Sequence, residues 1–268
     1  MKLSDPAHVA EQYRDSARFD ARARIYELYD TSAESWLHWL FVRLALAPGE
    51  RVLELGCGTG NLWRENAQRV PERTSLVLAD LSRGMLEQAR TRLAGLPLAL
   101  ALVLADAQRL PFDDASFDVV IASHMLYHVT DRARALGEVR RVLRRGGRFI
   151  AGTNHWTHLL ELRELLTRFA VASALLPPVR DVSLFDLETA AEEISGFLDV
   201  VSVEQRGSAL EIRDVEPLIA YVRSTMADGS SADDAALGPL RRHAERQIAL
   251  MGSIHVGIAA GVVAARKP

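Results

Sequence analysis

Three glycines in five residues, Gly56, Gly58 and Gly60, follow directly on the apolar run Arg51-Val52-Leu53-Glu54-Leu55. Glycine admits the left-handed backbone of a tight loop and lets a ligand approach the main chain. A helix starting behind such a loop turns N–H groups toward an anion. A dinucleotide fingerprint would need glycines at its first, third and sixth positions, and here the sixth is Asn61. The spacing therefore suits a tight loop around a carboxylate-bearing nucleoside better than a pyrophosphate seat. Two acids weigh against the competing reading, a glycine-rich turn that binds nothing. Asp80 ends a second apolar run, where a carboxylate can accept hydrogen bonds from both ribose hydroxyls. Asp106 ends a third, placed to meet the amino group of adenine. Either acid alone would serve as a helix cap or a surface charge; three signals at three successive strand ends point to one crevice.

The elements that must hold these residues alternate. Strands are expected at 51–55, 75–79, 98–105, 117–122 and 148–153. Helices are expected at 62–70, at 83–93 behind Ser82 as N-cap, and at 131–144, with a turn at Arg145-Gly146-Gly147. Strands apolar throughout, alternating with helices, imply a parallel sheet covered on both faces, and right-handed crossovers make it doubly wound. Before this core, residues 1–47 carry aromatic and aliphatic side chains at helical spacing. After it, a helix is expected from Trp156 to about Leu176, stopping at Pro177-Pro178. A strand at 198–205 follows, then helices at 215–226 and 233–251 flanking a Gly-Ser-Ser turn, and an apolar end, 254–266, that reads as an edge hairpin about Gly261.

Composition narrows the partners. The chain has 268 residues and 49% hydrophobic content, enough for a substantial core. Of its 32 basic residues only Lys2 and Lys267 are lysine, but the net charge is −3, against the basic excess of a nucleic-acid binder. The arginine excess reads as coding bias rather than phosphate recognition. One cysteine forms no internal disulfide, and no apolar run approaches the roughly 20 residues needed to span a bilayer, so a cytoplasmic protein is expected, without membrane insertion.

Taken together, Val52-Leu53-Glu54-Leu55-Gly56-Cys57-Gly58-Thr59-Gly60 resembles the first motif of class I S-adenosylmethionine-dependent methyltransferases. The resemblance runs on through Ala79-Asp80-Leu81-Ser82, Ala105-Asp106-Ala107-Gln108, Phe117-Asp118-Val119-Val120 and Arg141-Val142-Leu143-Arg144-Arg145-Gly146-Gly147. It covers about residues 48–155 and is nearest to the small-molecule branch that includes the ubiquinone/menaquinone-type (methyltransferase type 11-like) enzymes. It implies a Rossmann-like, mostly parallel seven-stranded sheet with an antiparallel C-terminal edge hairpin. It also implies S-adenosylmethionine as cofactor, with Glu54, Gly56, Cys57, Gly58 and Gly60 about its methionine part, Asp80 on the ribose, Leu81 on the adenine face, and Asp106-Ala107 at the adenine edge. Ser123 and, from the N-terminal segment, Tyr13 complete the expected cofactor contacts. The expected organisation is a helical lid over 1–47, a cofactor-binding core over 48–155, and acceptor-side helices with the last strands over 156–268.

After the fourth strand, DNA amino-methylating members carry an Asn/Asp-Pro-Pro-aromatic loop, and cytosine-C5 enzymes carry Pro-Cys. Here the loop reads Ser123-His124-Met125-Leu126-Tyr127-His128, so nucleic-acid methylation is disfavoured and a small organic acceptor is expected. In this fold that loop faces the sulfonium. His128 and His124 are the candidate general bases, since histidine titrates near neutral pH; the plainer reading is that one holds the loop and the other fills space. Tyr127, His155 and Trp36 are candidate walls of the acceptor pocket, and no metal site is expected because no acid or thiol is spaced to join the histidines. A non-catalytic cofactor-binding protein and an NAD-dependent oxidoreductase are the rival readings; monomer and homodimer both stay open.

Overall fold

A computed structural model describes residues 17–171, 185–226 and 234–268. The strands are β1 (Arg51–Leu55), β2 (Ser75–Asp80), β3 (Ala99–Leu104), β4 (Phe117–Ser123), β5 (Leu143–Asn154), β6 (Asp199–Ile212) and β7 (Ile254–Arg266). The helices, among the described residues, are α1 (Ala17–Tyr29), α2 (Trp36–Leu44), α3 (Asn61–Asn66), α4 (Arg83–Leu93), α5 (Arg132–Val142), α6 (Leu160–Arg168), α7 (Leu187–Ser195), α8 (Val215–Thr225) and α9 (Asp234–Met251). One seven-stranded sheet has the order β3-β2-β1-β4-β5-β7-β6. Neighbours among β1 to β5 pair in parallel, and β7 runs antiparallel to β5 from Arg148↔Arg266 to Asn154↔Ala260. This is the Rossmann-like arrangement implied by the resemblance. The strand order reverses between β1 and β4, and ligands of open α/β sheets bind at the carboxyl ends of strands at such a reversal.

The chain divides into two compact units, with boundaries after Ala33, His155 and Ser183 and inside β6 and β7. The larger holds α2–α5, α7, β1–β5 and the adjoining parts of β6 and β7; the other holds α1, α6, α8, α9 and the remaining parts of those strands.

In the larger unit, successive strand residues point to opposite faces. Leu53, Leu55, Val77, Val120 and Phe149 pack with Leu136 and Val139 of α5 and Ala190 and Ile194 of α7. Val52, Leu76, Leu78, Val119 and Ile121 pack on the other face with Leu40 and Leu44 of α2, Trp63 of α3, and Leu86 and Ala89 of α4. Two apolar faces explain why these strands are hydrophobic without alternation. Each fully buried Leu or Val contributes about 1.5–3 kcal/mol, so the positions of the strand ends are fixed by the whole sandwich. The helical unit has its own core, in which Ile25 of α1, Leu162 and Leu166 of α6, Leu218 and Val222 of α8 and Leu240 of α9 are buried.

Three expectations are corrected. The helix expected from Trp156 to Leu176 is shorter: it starts at Leu160 and ends at Arg168, because Leu159 and Ala170 both adopt left-handed backbone (φ 55° and 53°) that a helix cannot continue through. Its expected stop at Pro177-Pro178, and the Gly-Ser-Ser turn at 229–231, lie outside the described residues. Residues 254–266 do not fold back at Gly261; they form the single strand β7, and the edge belongs to β6. Gly261 is there for closeness, since a Cβ would stand 2.3 Å from the Glu204 carbonyl oxygen. Finally, Arg145-Gly146-Gly147 is a bulge inside β5: the pairing jumps from Phe117↔Leu143 to Val119↔Arg148.

Candidate active site

The loop after β1 is built from left-handed residues, with φ of 64°, 55° and 76° at Gly56, Gly58 and Gly60. Their reasons differ. A Cβ on Gly56 would lie 2.7 Å from Met125 Cβ in the loop after β4, and one on Gly60 would lie 2.7 Å from a terminal methyl of Leu93. A Cβ on Gly58 would meet nothing within 4 Å. Gly56 therefore lets two loops touch, while Gly58 faces open space where a ligand could lie.

Asp80 closes this loop onto β2. Its Oδ2 accepts the Gly58 N–H at 2.8 Å, and its Oδ1 accepts the Ser82 N–H at 2.8 Å. Burial pushes its pKa above the ordinary carboxylate value, against the lowering effect of these hydrogen bonds. Ser82 in turn caps α4 by accepting the Met85 N–H. The next residue, Leu81, is 58% exposed, an unusual position for a leucine. Its side chain is free to cover a flat ring.

Glu54 points the other way along β1, into the α3 side of the sheet. It is 4% exposed and accepts a 2.6 Å hydrogen bond from Trp63 Nε1. Desolvation pushes its pKa up to about 8, with the Trp63 bond opposing and the charge of Asp80 reinforcing. Beside it, burial holds the Cys57 thiol well above its ordinary value and hence un-ionised, a packed member of the loop. Asn61, the first residue of α3, keeps its Oδ1 buried with no hydrogen-bond partner among the described residues. Sequence reasoning passed over Asn61 as merely a missing glycine.

After β3, Asp106 is held by its own turn: Gln108 donates to it through both N–H (2.9 Å) and Nε2 (3.0 and 3.2 Å to the two oxygens), and Ala107 is buried. The loop that follows is clamped by Arg141, which donates to the carbonyls of Leu110 (3.0 Å) and Phe112 (2.7 Å) and pairs with Glu138 and Asp114. The Arg141 side chain thus explains the first residue of the matched Arg-Val-Leu-Arg-Arg-Gly-Gly run.

The loop after β4 carries the histidines. His124 adopts φ 54° and is half-buried, its N–H bonded to the Gly152 carbonyl at 2.8 Å. Its ring lies 4.9 Å from that of Trp36. Burial pulls its pKa down to about 4, so the ring is neutral near pH 7 and accepts a proton only weakly. Trp36, at the start of α2, lies over β5 where Gly152 leaves room, and its Nε1–H is buried without an acceptor among the described residues. Ser123, at the end of β4, flanks the same glycine. Leu126–His128 form a short 3-10 turn in which the Tyr127 and His128 rings meet at 4.5 Å. His155 is turned toward α7, with its Nε2 3.1 Å from Glu188 Oε1. Trp36, Ser123 and His124 are thus brought together, whereas His155 is engaged elsewhere; Tyr13 lies outside the described residues. No group of three or more His, Cys, Asp or Glu suited to a metal exists among the described residues, nor any helix long and apolar enough to cross a membrane.

Against known proteins, residues 53–151 match the methyltransferase-domain family. The ubiquinone/menaquinone biosynthesis C-methyltransferase of Stenotrophomonas maltophilia is 40% identical over 136 residues, which are 48% of this chain and 54% of that one. The chain spans about half the length of the curated relatives it matches. Among solved structures, the Haemonchus contortus phosphoethanolamine N-methyltransferase 2, in complex with phosphomonomethylethanolamine and S-adenosylhomocysteine, aligns with a TM-score of 0.58 at 20% identity over 100% of this chain and 60% of that one. A (4+2)-cyclase, SpnF, aligns with a TM-score of 0.61 at 18% identity over 100% of this chain and 97% of that one. At such identities these likenesses speak to the fold alone.

Proposed function

We propose, from the match of residues 53–151 to the methyltransferase-domain family, that this chain transfers a methyl group from S-adenosylmethionine to a small organic acceptor. The observation that carries the proposal is the joining of the glycine loop to Asp80 through the Gly58 N–H, which sets an open main-chain ledge beside a half-buried carboxylate. The residues present fit the cofactor. Asp80 has lone pairs left for ribose hydroxyls, and the exposed Leu81 side chain suits an adenine face. The unpartnered Asn61 Oδ1 suits an N–H donor such as the cofactor's ammonium. Asp106, Ala107, Glu54, Cys57 and Ser123 complete the expected contact set.

When bound, the cofactor supplies an electrophilic methyl group to an in-line attack, and the protein's work is alignment and, where the acceptor needs it, proton removal. In this reading the buried Trp36 Nε1–H orients a polar atom of the acceptor. Tyr127 is a further candidate wall of the acceptor pocket, whereas His155 is turned to Glu188. His128 is the general base for an acidic acceptor; His124, neutral and weakly basic, holds the loop and presents its ring to Trp36. Specificity for O, N or C then depends on how the acceptor's nucleophile is presented.

The test is direct. Calorimetry with S-adenosylhomocysteine should give saturable binding to the whole chain and none with NAD. Asp80→Asn keeps one acceptor oxygen but loses the charge, and should weaken S-adenosylhomocysteine by roughly 2 kcal/mol. Full affinity in a folded Asn variant would overturn the ribose assignment. Methylated product from a panel of phenols, amines and quinols would separate catalysis from cofactor binding alone.

A further inference from the structure

The helical unit contains a buried cation with too few partners. Arg163 lies in the first turn of α6 and is 9% exposed. Its Nη2 donates to the carbonyl of Trp156, so the side chain folds back over the start of its own helix. Its Nε is buried and, among the described residues, has no acceptor. A guanidinium stays charged in a protein, so this charge cannot be shed by losing a proton. Burial of a charge is costly; desolvation lowers the Arg163 pKa from the ordinary value, and the charge of Glu161, two residues back, opposes this only in part.

Its location adds to the mismatch. The N-terminal turn of a helix favours anions, not cations. Among the described residues no side chain caps that turn: Leu159, at the N-cap, has φ 55° and offers no side-chain hydrogen bond. The nearby polar groups are committed. Glu161, exposed, accepts the Gly257 N–H at 2.9 Å. His158 Nε2 meets the Tyr26 hydroxyl at 3.1 Å, and its Nδ1 accepts the Ala259 N–H at 3.3 Å.

An uncapped helix start and a buried guanidinium folded across it both call for the same thing, a negatively charged group. We propose that the first turn of α6 seats a carboxylate, held by the spare donors of Arg163 and aligned with the helix dipole. A monoanion is favoured over a phosphate dianion because Glu161 already places one negative charge in the same turn. The site lies wholly within the helical unit and does not depend on methyl transfer, so the two proposals fail separately.

The experiment uses the full chain without cofactor. Saturation-transfer NMR and thermal melts are recorded with formate and benzoate, with phosphate and chloride at equal ionic strength as controls. The wild type should bind a carboxylate saturably. Arg163→Met should weaken it at least about tenfold, and Arg163→Lys, which keeps charge but not the fork, should fall between. Without ligand, Arg163→Met should melt no lower than the wild type, since it removes a buried charge whose desolvation outweighs the opposing charge of Glu161. Four results would each overturn the proposal: no carboxylate binding, binding retained in Arg163→Met, saturation by phosphate alone, or a lowered melting point in Arg163→Met with carboxylate response intact in Arg163→Lys at wild-type strength.

Discussion

The turns after β1 and β4 lie on adjacent strands, and both leave the sheet through left-handed backbone. After β1 that conformation is taken by Gly56, Gly58 and Gly60; after β4 it is taken by His124, with φ 54°. A glycine adopts it at little cost, whereas a residue with a Cβ is strained there. The two turns also bury opposite kinds of titrating group. Glu54 enters the first with its pKa pushed up to about 8, and His124 sits in the second with its pKa pulled down to about 4. Both are held neutral by the same desolvation. The first turn is thus an unstrained ledge that must fit its neighbour, and the second is a strained one that the surrounding packing enforces. Strain kept in a site rather than relieved is a reason to look there for function.

The largest effect expected from this contrast is at Gly56. Gly56→Ala adds both left-handed strain and a clash with Met125, and should cost about 3 kcal/mol in denaturant unfolding; Gly58→Ala meets only the backbone term, about 1–2 kcal/mol. Equal costs would mean that the contact between the two turns gives way freely.

Next in size is the pH dependence. Glu54, raised in the folded state, stabilises the fold below its free value of 4.5 and loses that contribution as pH rises through about 8. His124, lowered, contributes above its free value of 6.5 and loses it as pH falls through about 4. Between pH 4.5 and 6.5 the two slopes have opposite sign and offset each other. Above that window Glu54 acts alone, and unfolding free energy should drop by about 2 kcal/mol by pH 8. Glu54→Gln should flatten the alkaline limb and uncover the acid loss due to His124. A wild type that keeps its stability from pH 6.5 to 8 would show that Glu54 is already ionised in the fold.

A smaller difference separates substitutions at His124. Asparagine tolerates left-handed backbone and a β-branched side chain does not, so His124→Val should be less stable than His124→Asn by about 1–2 kcal/mol. The reverse order would place the value of this residue in ring packing on Trp36. The smallest change in stability is expected at Leu81, which is exposed: Leu81→Ser should alter unfolding by no more than about 0.5 kcal/mol. Its affinity for S-adenosylhomocysteine should nevertheless fall several-fold, read by calorimetry.

The first turn could be read from residue types because each of its requirements is local. Gly56, Gly58 and Gly60 announce a special backbone, Asp80 and Asp106 end apolar runs, and Ser82 precedes a helix that it caps. The second turn gave no such signal. Nothing in Ser-His-Met-Leu-Tyr-His marks His124 as left-handed or Trp36, far away in the chain, as its neighbour. Likewise Arg141 and Arg148 read as compositional bias, yet Arg141 clamps the loop after β3, and Arg148 bonds the carbonyls of Leu44 and Ala45 and pairs with Glu50. The C-terminal end misled for a related reason: a glycine that allows close strand approach at Gly261 has the same letter as a glycine that turns the chain.

The sequence alone determined the alternation of strands and helices, the doubly wound sheet and the ledge of glycines with Asp80 beside it, because periodicity, capping and backbone freedom act over a few residues. Tertiary structure decided which polar groups lose water and which partners they meet. Glu54 found Trp63, His124 found Trp36, and the Asn61 Oδ1 and Arg163 Nε were left without any acceptor or donor among the described residues. Desolvation is a property of the packed neighbourhood rather than of the residue, so those outcomes could not be read along the chain.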